Sequence, residues 1–126
     1  MGKKVDLVRF AEALGDYPFG YLITVDDDFH AHTVAVEPVF ADGVLHLGPA
    51  GEHTRANLDR HPRVSLVWPP VQPGGYSLML DGRGELSDDA QVRVFPSKAL
   101  LHRRAQPGSA AAATGCLHDC VVFTED

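Results

Sequence analysis

Apolar positions near the start of the chain recur every three or four residues: Val5, Leu7, Val8, Phe10, Ala11 and Leu14. This spacing predicts an amphipathic helix, and Gly15 stands where a C-terminal cap is expected. From Phe19 the period drops to two. Tyr21, Ile23 and Val25 alternate with Leu22 and Thr24, and the run Asp26, Asp27, Asp28 follows as a solvated turn. Between Ala31 and Phe40 a second strand puts His32, Val34 and Val36 on one face and Thr33, Ala35 and Glu37 on the other, with Pro38 restricting pairing or marking a bulge. Ala41-Asp42-Gly43 reads as a hairpin turn into Val44 to Leu47.

Later in the chain, Tyr76 to Leu86 has the clearest alternation, with Tyr76, Leu78 and Leu80 against Ser77, Asp81 and Arg83. Before it, PPVQPGG (Pro69 to Gly75) has the composition of a loop. Gln91 to Phe95 predicts a further strand, and Pro96 to Leu101 another turn or a short extended piece. Ala105 to Gly115 reads as a flexible linker whose alanines can form a turn or so of helix, and Val121 to Phe123 closes the sheet. Short strands at hairpin spacing with few helices predict a closed or half-closed antiparallel barrel, with a β-sandwich as the rival.

Composition narrows the function classes. The 126 residues fit one domain spanning 1–126, with 44% hydrophobic and 22% charged residues. A formal charge of −6 argues against nucleic acid and anionic membranes as partners, since both select basic surfaces. No apolar run approaches the ~20 residues that span a bilayer. Charges interrupt the apolar N-terminal positions where a signal peptide would need a core, so a cytoplasmic location is expected. Two cysteines, Cys116 and Cys120, are too few for a disulfide framework.

Chemistry concentrates between Gly43 and Pro70, in GVLHLGPAGEHTRANLDRHPRVSLVWPP. A glycine-containing loop leads there from a strand into a short polar helix. The first N–H groups of a helix lack intrahelical partners and its dipole is positive at that end, so an anion is favoured. Thr54 can cap the helix or give its hydroxyl to a phosphate, and Arg55 offers a planar fork of donors. The plainer alternative is a capped surface helix ended by Pro62.

The stretch HPRVSLVWPPVQPGGYSLMLDGRGEL, preceded by GEHTRANL and by the hairpin YLITVDDDFHAHTVAVEPVF, resembles the pyridoxamine 5′-phosphate oxidase-like family of FMN-binding split barrels. The resemblance runs from about Tyr21 to Leu86. It implies a mainly β, six-stranded antiparallel split barrel of Greek-key type with a few short helices, a homodimer, and two FMN sites in grooves between protomers. The family's Ser-Arg-Lys-Ala matches His53-Thr54-Arg55-Ala56, which implies Thr54 and Arg55 at the flavin phosphate with His53 beside them. A flavin-ring contact falls at Ser77, where a glutamine is common. On the second strand, an arginine and a lysine five residues apart in the true oxidases align with His32 and Glu37. A carboxylate in place of that lysine repels a phosphate by about 1 kcal/mol or more at a few ångströms in solvent.

The substrate-binding histidine and arginine of the true oxidases have no match after Phe95, so pyridoxamine phosphate oxidation is not expected. The resemblance implies an FMN-dependent oxidoreductase acting on a small organic substrate, with no side chain nominated as catalytic acid or base. Related deazaflavin-dependent reductases share the fold. The remaining alternative is a non-enzymatic dimer that binds flavin or haem, or acts structurally.

Other clusters carry less. His30 and His32 have ligand-compatible spacing, and His46 can sit on a paired strand, but seven histidines make proximity common and no metal is assigned. Cys116-Leu117-His118-Asp119-Cys120 offers two thiolates and an imidazole for zinc and lacks a fourth ligand, so reduced, packed cysteines are the preferred reading. His102-Arg103-Arg104 can reach a phosphate or an acidic partner, and Trp68 and Tyr76 can stack on a planar ring or serve the core.

Overall fold

A computed structural model describes residues 4–125. Helix α1 (Leu7–Leu14) begins where the Asp6 carboxylate accepts a hydrogen bond from the Arg9 N–H at 3.1 Å, an N-cap that starts the helix two residues later than the apolar spacing suggests. Val5 lies outside it, in a bridge to Thr124. The helix buries Phe10, whose ring meets Phe40 and Trp68 edge-on at 5.4 and 5.9 Å.

The strands are β1 (Gly20–Val25), β2 (Ala31–Val36), β3 (Val39–Ala41), β4 (Val44–Pro49), β5 (Arg63–Trp68), β6 (Ser77–Leu86), β7 (Gln91–Arg104) and β8 (His118–Val122); helices α2 (Glu52–Arg60) and α3 (Ala110–Ala113) complete the chain. All pair antiparallel in the order β2-β1-β5-β6-β7-β4-β3, with β8 added to β7. The path ends on β2 and β3, so the sheet curls into a half-barrel. Eight strands replace the expected six because Pro38 divides the second strand and the tail supplies β8.

Strand β7 departs most from expectation. Pro96 does not end it: 14 residues run continuously, pairing with β4 near one end and with β8 near the other. The register shifts between Asp81 and Gly82, with Pro96 opposite Gly82, so the proline sits at a bulge where its missing N–H is tolerated. A Cβ on Gly82 would lie 2.5 Å from the Phe95 carbonyl oxygen, so only glycine permits this crossing.

Leu22, Leu66, Trp68, Leu80 and Val94 fill the concave side with Phe10. Helix α2 seats on that side through Leu58 and through a buried hydrogen bond in which the Asn57 amide donates to the Thr24 hydroxyl at 3.0 Å. Both partners are almost fully enclosed, so this bond fixes how the helix meets β1. Among the described residues, no helix is long and apolar enough to cross a membrane.

Candidate functional site

Gly48 has φ +84° and carries the chain from β4 towards α2. The N-cap is Gly51, and no side chain caps the helix, so Thr54 is its third residue and not the cap that the sequence allowed. First-turn N–H groups of an uncapped helix need an outside acceptor. A pocket of about 450 Å³ opens at that point, between β2, β4 and α2, with Leu22, Leu47 and Val92 at its apolar base.

His32, Glu37, Glu52, His53 and Thr54 line this pocket. The His32 and His53 rings stand 5.4 Å apart, one from the edge strand and one from the helix. Among the described residues no lysine or arginine lines it, so its positive charge comes from the helix end and from imidazoles when protonated. Arg55 does not line it either. Its Nη1 donates to the Ala50 carbonyl at 3.3 Å on the exposed side of the helix.

Alternation along a regular strand would send positions 32 and 37 to opposite faces. Both line the pocket because β2 stops at Val36, which frees Glu37 from the strand's alternation. Ser77 begins β6 opposite His102 and does not line this pocket. A larger cleft of about 580 Å³ lies on the outer sheet face among Arg63, Ser65, Asp81 and Lys98, and none of the candidate residues lines it.

The other polar groups are committed to one another. The Asp119 carboxylate accepts from Arg103 Nε and from the Tyr76 hydroxyl, each at 2.8 Å, and the Arg103 guanidinium lies 4.3 Å from the centre of the Tyr76 ring. Arg103, then Tyr76, hold the Asp119 carboxyl below its ordinary range, and the bond to Asp119 raises the Tyr76 phenol. Arg103 is therefore a corner brace of the hairpin. Trp68 is wholly buried against Gly20 and Phe10 and offers no stacking surface.

In the acidic turn, Asp26, Asp28 and His30 bring ligand atoms within 4.8 Å of one another. The Asp26 carboxylate already accepts the backbone N–H groups of His30 and Asp28, chiefly the first, which lowers its pKa and locks the turn. Asp27 accepts from His61 and Arg60, which lowers it as well. His46 pairs with Val39 and Arg93 and is not part of this group.

Comparison with known proteins adds the lineage. Uncharacterized proteins of Mycobacterium bovis and Mycobacterium tuberculosis are each 53% identical over 137 aligned positions, covering 97% of this chain and 96% of theirs. The chain belongs to their family, and its fold is the pyridoxamine 5′-phosphate oxidase-like split barrel. No protein-family model matches the sequence.

Solved structures share the split-barrel fold. A Clostridium acetobutylicum protein related to general stress protein 26, of the pyridoxinephosphate oxidase family, has a TM-score of 0.65 at 13% identity, covering 94% of this chain and 93% of its own. An FAD-binding protein of Mesorhizobium loti has 0.63 at 17%, covering 78% and 95%. An F420 reductase has 0.54 at 20%, covering 70% and 94%. In this split barrel, Pro38 opens the seam between β2 and β3, and the candidate pocket lies beside that break. Alternation alone did not reveal this consequence, although Pro38 was its signal.

Proposed function

We propose that the pocket at the start of α2 holds the phosphate end of a flavin, FMN first, and that the protein is an oxidoreductase acting on a small organic molecule. The observation that carries this is the meeting of His32, His53 and Thr54 at an uncapped helix N-terminus within one pocket. About 450 Å³ is a normal size for a small-molecule site, roughly 300–1,000 Å³. The donor set fits an anion: helix N–H groups, the Thr54 hydroxyl and two imidazoles, with Arg55 one rotation away at the helix surface.

Glu37 and Glu52 oppose part of that charge and keep the anchor weak. Leu22, Leu47 and Val92 add an apolar patch to the pocket lining. A bound flavin would supply the hydride chemistry, while the chain contributes anchorage, orientation and an apolar wall. Ser77 would meet the cofactor only from a second copy, and a homodimer is part of this reading.

FMN, riboflavin and F420 titrated into the protein, followed by flavin fluorescence, test it. FMN should bind at micromolar concentration, and riboflavin at least ~10-fold more weakly because it has no phosphate to anchor. His53→Glu should weaken FMN and leave riboflavin unchanged. Failure of both FMN and F420 to bind ends the flavin reading. Tight F420 with no FMN moves it to a deazaflavin reductase, the second reading that the F420 reductase of the same fold favours. Flavin that binds and is never reduced by NAD(P)H or substrate indicates storage or sensing.

A further inference from the structure

We propose that Cys116, His118 and Cys120, joined by His102 from the neighbouring strand, form a zinc site on the β7–β8 hairpin. The sequence supplies three donors at alternate positions and no fourth. The fold supplies it: β7 and β8 pair with His102 opposite Cys120 and Arg104 opposite His118. Alternation then sends His118 and Cys120 to the exposed face and turns Asp119 the other way, towards Arg103 and Tyr76.

Two separations, His102 to Cys120 and His102 to His118, resemble those of ligands on one ion. His102 Nδ1 lies 3.3 Å from Cys120 Sγ. Tetrahedral zinc with bonds of roughly 2.3 Å to sulfur and 2.0–2.1 Å to nitrogen places those atoms about 3.5 Å apart. The His102 and His118 ring centres are 5.2 Å apart, close to the ~5 Å that two imidazoles adopt on the same tetrahedral ion.

Cys116 is held against the His118 backbone. Cys116 Sγ accepts the His118 backbone N–H at 3.4 Å and donates to the His118 carbonyl at 2.9 Å. On metal binding each thiol releases its proton, so the Sγ–H donation ends while the N–H contact to the thiolate remains. Cys116 and His118 also line a cleft of about 480 Å³. The donors do not yet converge on one point: among the described residues, the group already within 4.8 Å is the Asp26, Asp28 and His30 turn. Closure requires His118 and Cys116, both exposed, to move onto the His102–Cys120 pair, Cys116 leaving its contact with the His118 backbone carbonyl. Thiolate and imidazole select zinc over the hard cations that acidic turns prefer. The ion would staple the tail to β7.

The test uses untagged, reduced protein titrated with zinc, and with cobalt as a spectroscopic substitute. One equivalent of zinc should bind at submicromolar concentration. Cobalt should give tetrahedral d–d bands with a thiolate charge-transfer band. Cys120→Ser should remove that band, and His102→Asn should weaken zinc at least ~10-fold, the effect expected for a lost ligand. Cys120 is exposed and His102 half-buried, and the cobalt spectrum of the unaltered chain decides without any variant. No zinc binding at micromolar concentration overturns the proposal. So does cobalt without the thiolate band, affinity indifferent to His102→Asn, or binding that disappears instead with His30→Asn.

Discussion

The pocket at the start of α2 and the corner formed by Tyr76, Arg103 and Asp119 are both built from polar side chains, and they are wired oppositely. At the corner every charge has its complement: Asp119 takes both Arg103 and Tyr76 at 2.8 Å. In the pocket the helix end has no side-chain cap, and two imidazoles and two carboxylates line a cavity. Groups that satisfy one another stabilise the fold; groups left facing a cavity are available to a ligand. In sequence the basic cluster His102-Arg103-Arg104 can reach a phosphate or an acidic partner, and in the folded chain Arg103 is the member already neutralised, by Asp119.

The largest effect expected from separating the two regions is on stability. Asn57→Ala removes the donor to Thr24 and leaves that hydroxyl enclosed at 1% exposure. The cost should be about 1–3 kcal/mol, read from denaturant unfolding. Because this bond seats α2 on β1, ligand affinity at the pocket should fall with it, while the Tyr76 corner stays intact. A variant as stable as the natural chain would show that the helix is held by Leu58 alone.

Glu37→Lys comes next and acts in the other direction. It restores a cation to a pocket whose described lining has no lysine or arginine and should tighten FMN by about tenfold, worth ~1.4 kcal/mol. Riboflavin should not respond. Equal tightening of both ligands would place the phosphate elsewhere, and no change in either would show that Glu37 points away from the bound anion.

How much of this was legible in the sequence differs by element. Period-two patterning located β1 and β6 because each buries one face against the core. It failed at Pro96, since a proline that normally ends pairing can sit at a bulge, and the bulge depends on Gly82 of the strand beside it. The pocket residues His53 and Thr54 were legible through resemblance, and so was His32. Arg55 was named with them, but its direction depends on the Ala50 carbonyl, which no spacing rule predicts. The partner of Cys120 was invisible for a related reason: His102 lies 18 residues earlier, and only the β7–β8 register joins them.

The smallest effect expected is at the corner, and it is one of pH. Arg103 and then Tyr76 hold the Asp119 carboxyl below its ordinary value in the folded chain. A lowered folded pKa means that the unfolded chain binds the proton first as pH falls. The stabilisation is therefore complete above the unfolded carboxylate value of about 3.9 and is lost as pH drops through it towards the folded value. Asp119→Asn should lower Tm modestly at pH 6 and flatten its decline between about pH 4 and pH 2. Some slope must survive, because Asp26 and Asp27 are lowered in the same sense by their own hydrogen bonds. Solvent reaches the pair, with Arg103 30% and Asp119 22% exposed, which keeps the effect small. FMN affinity in the same variant should be unchanged, since Asp119 does not line the pocket. A joint loss of Tm and affinity would mean that the two polar regions are coupled through β6 and β7 and that the corner helps to shape the pocket.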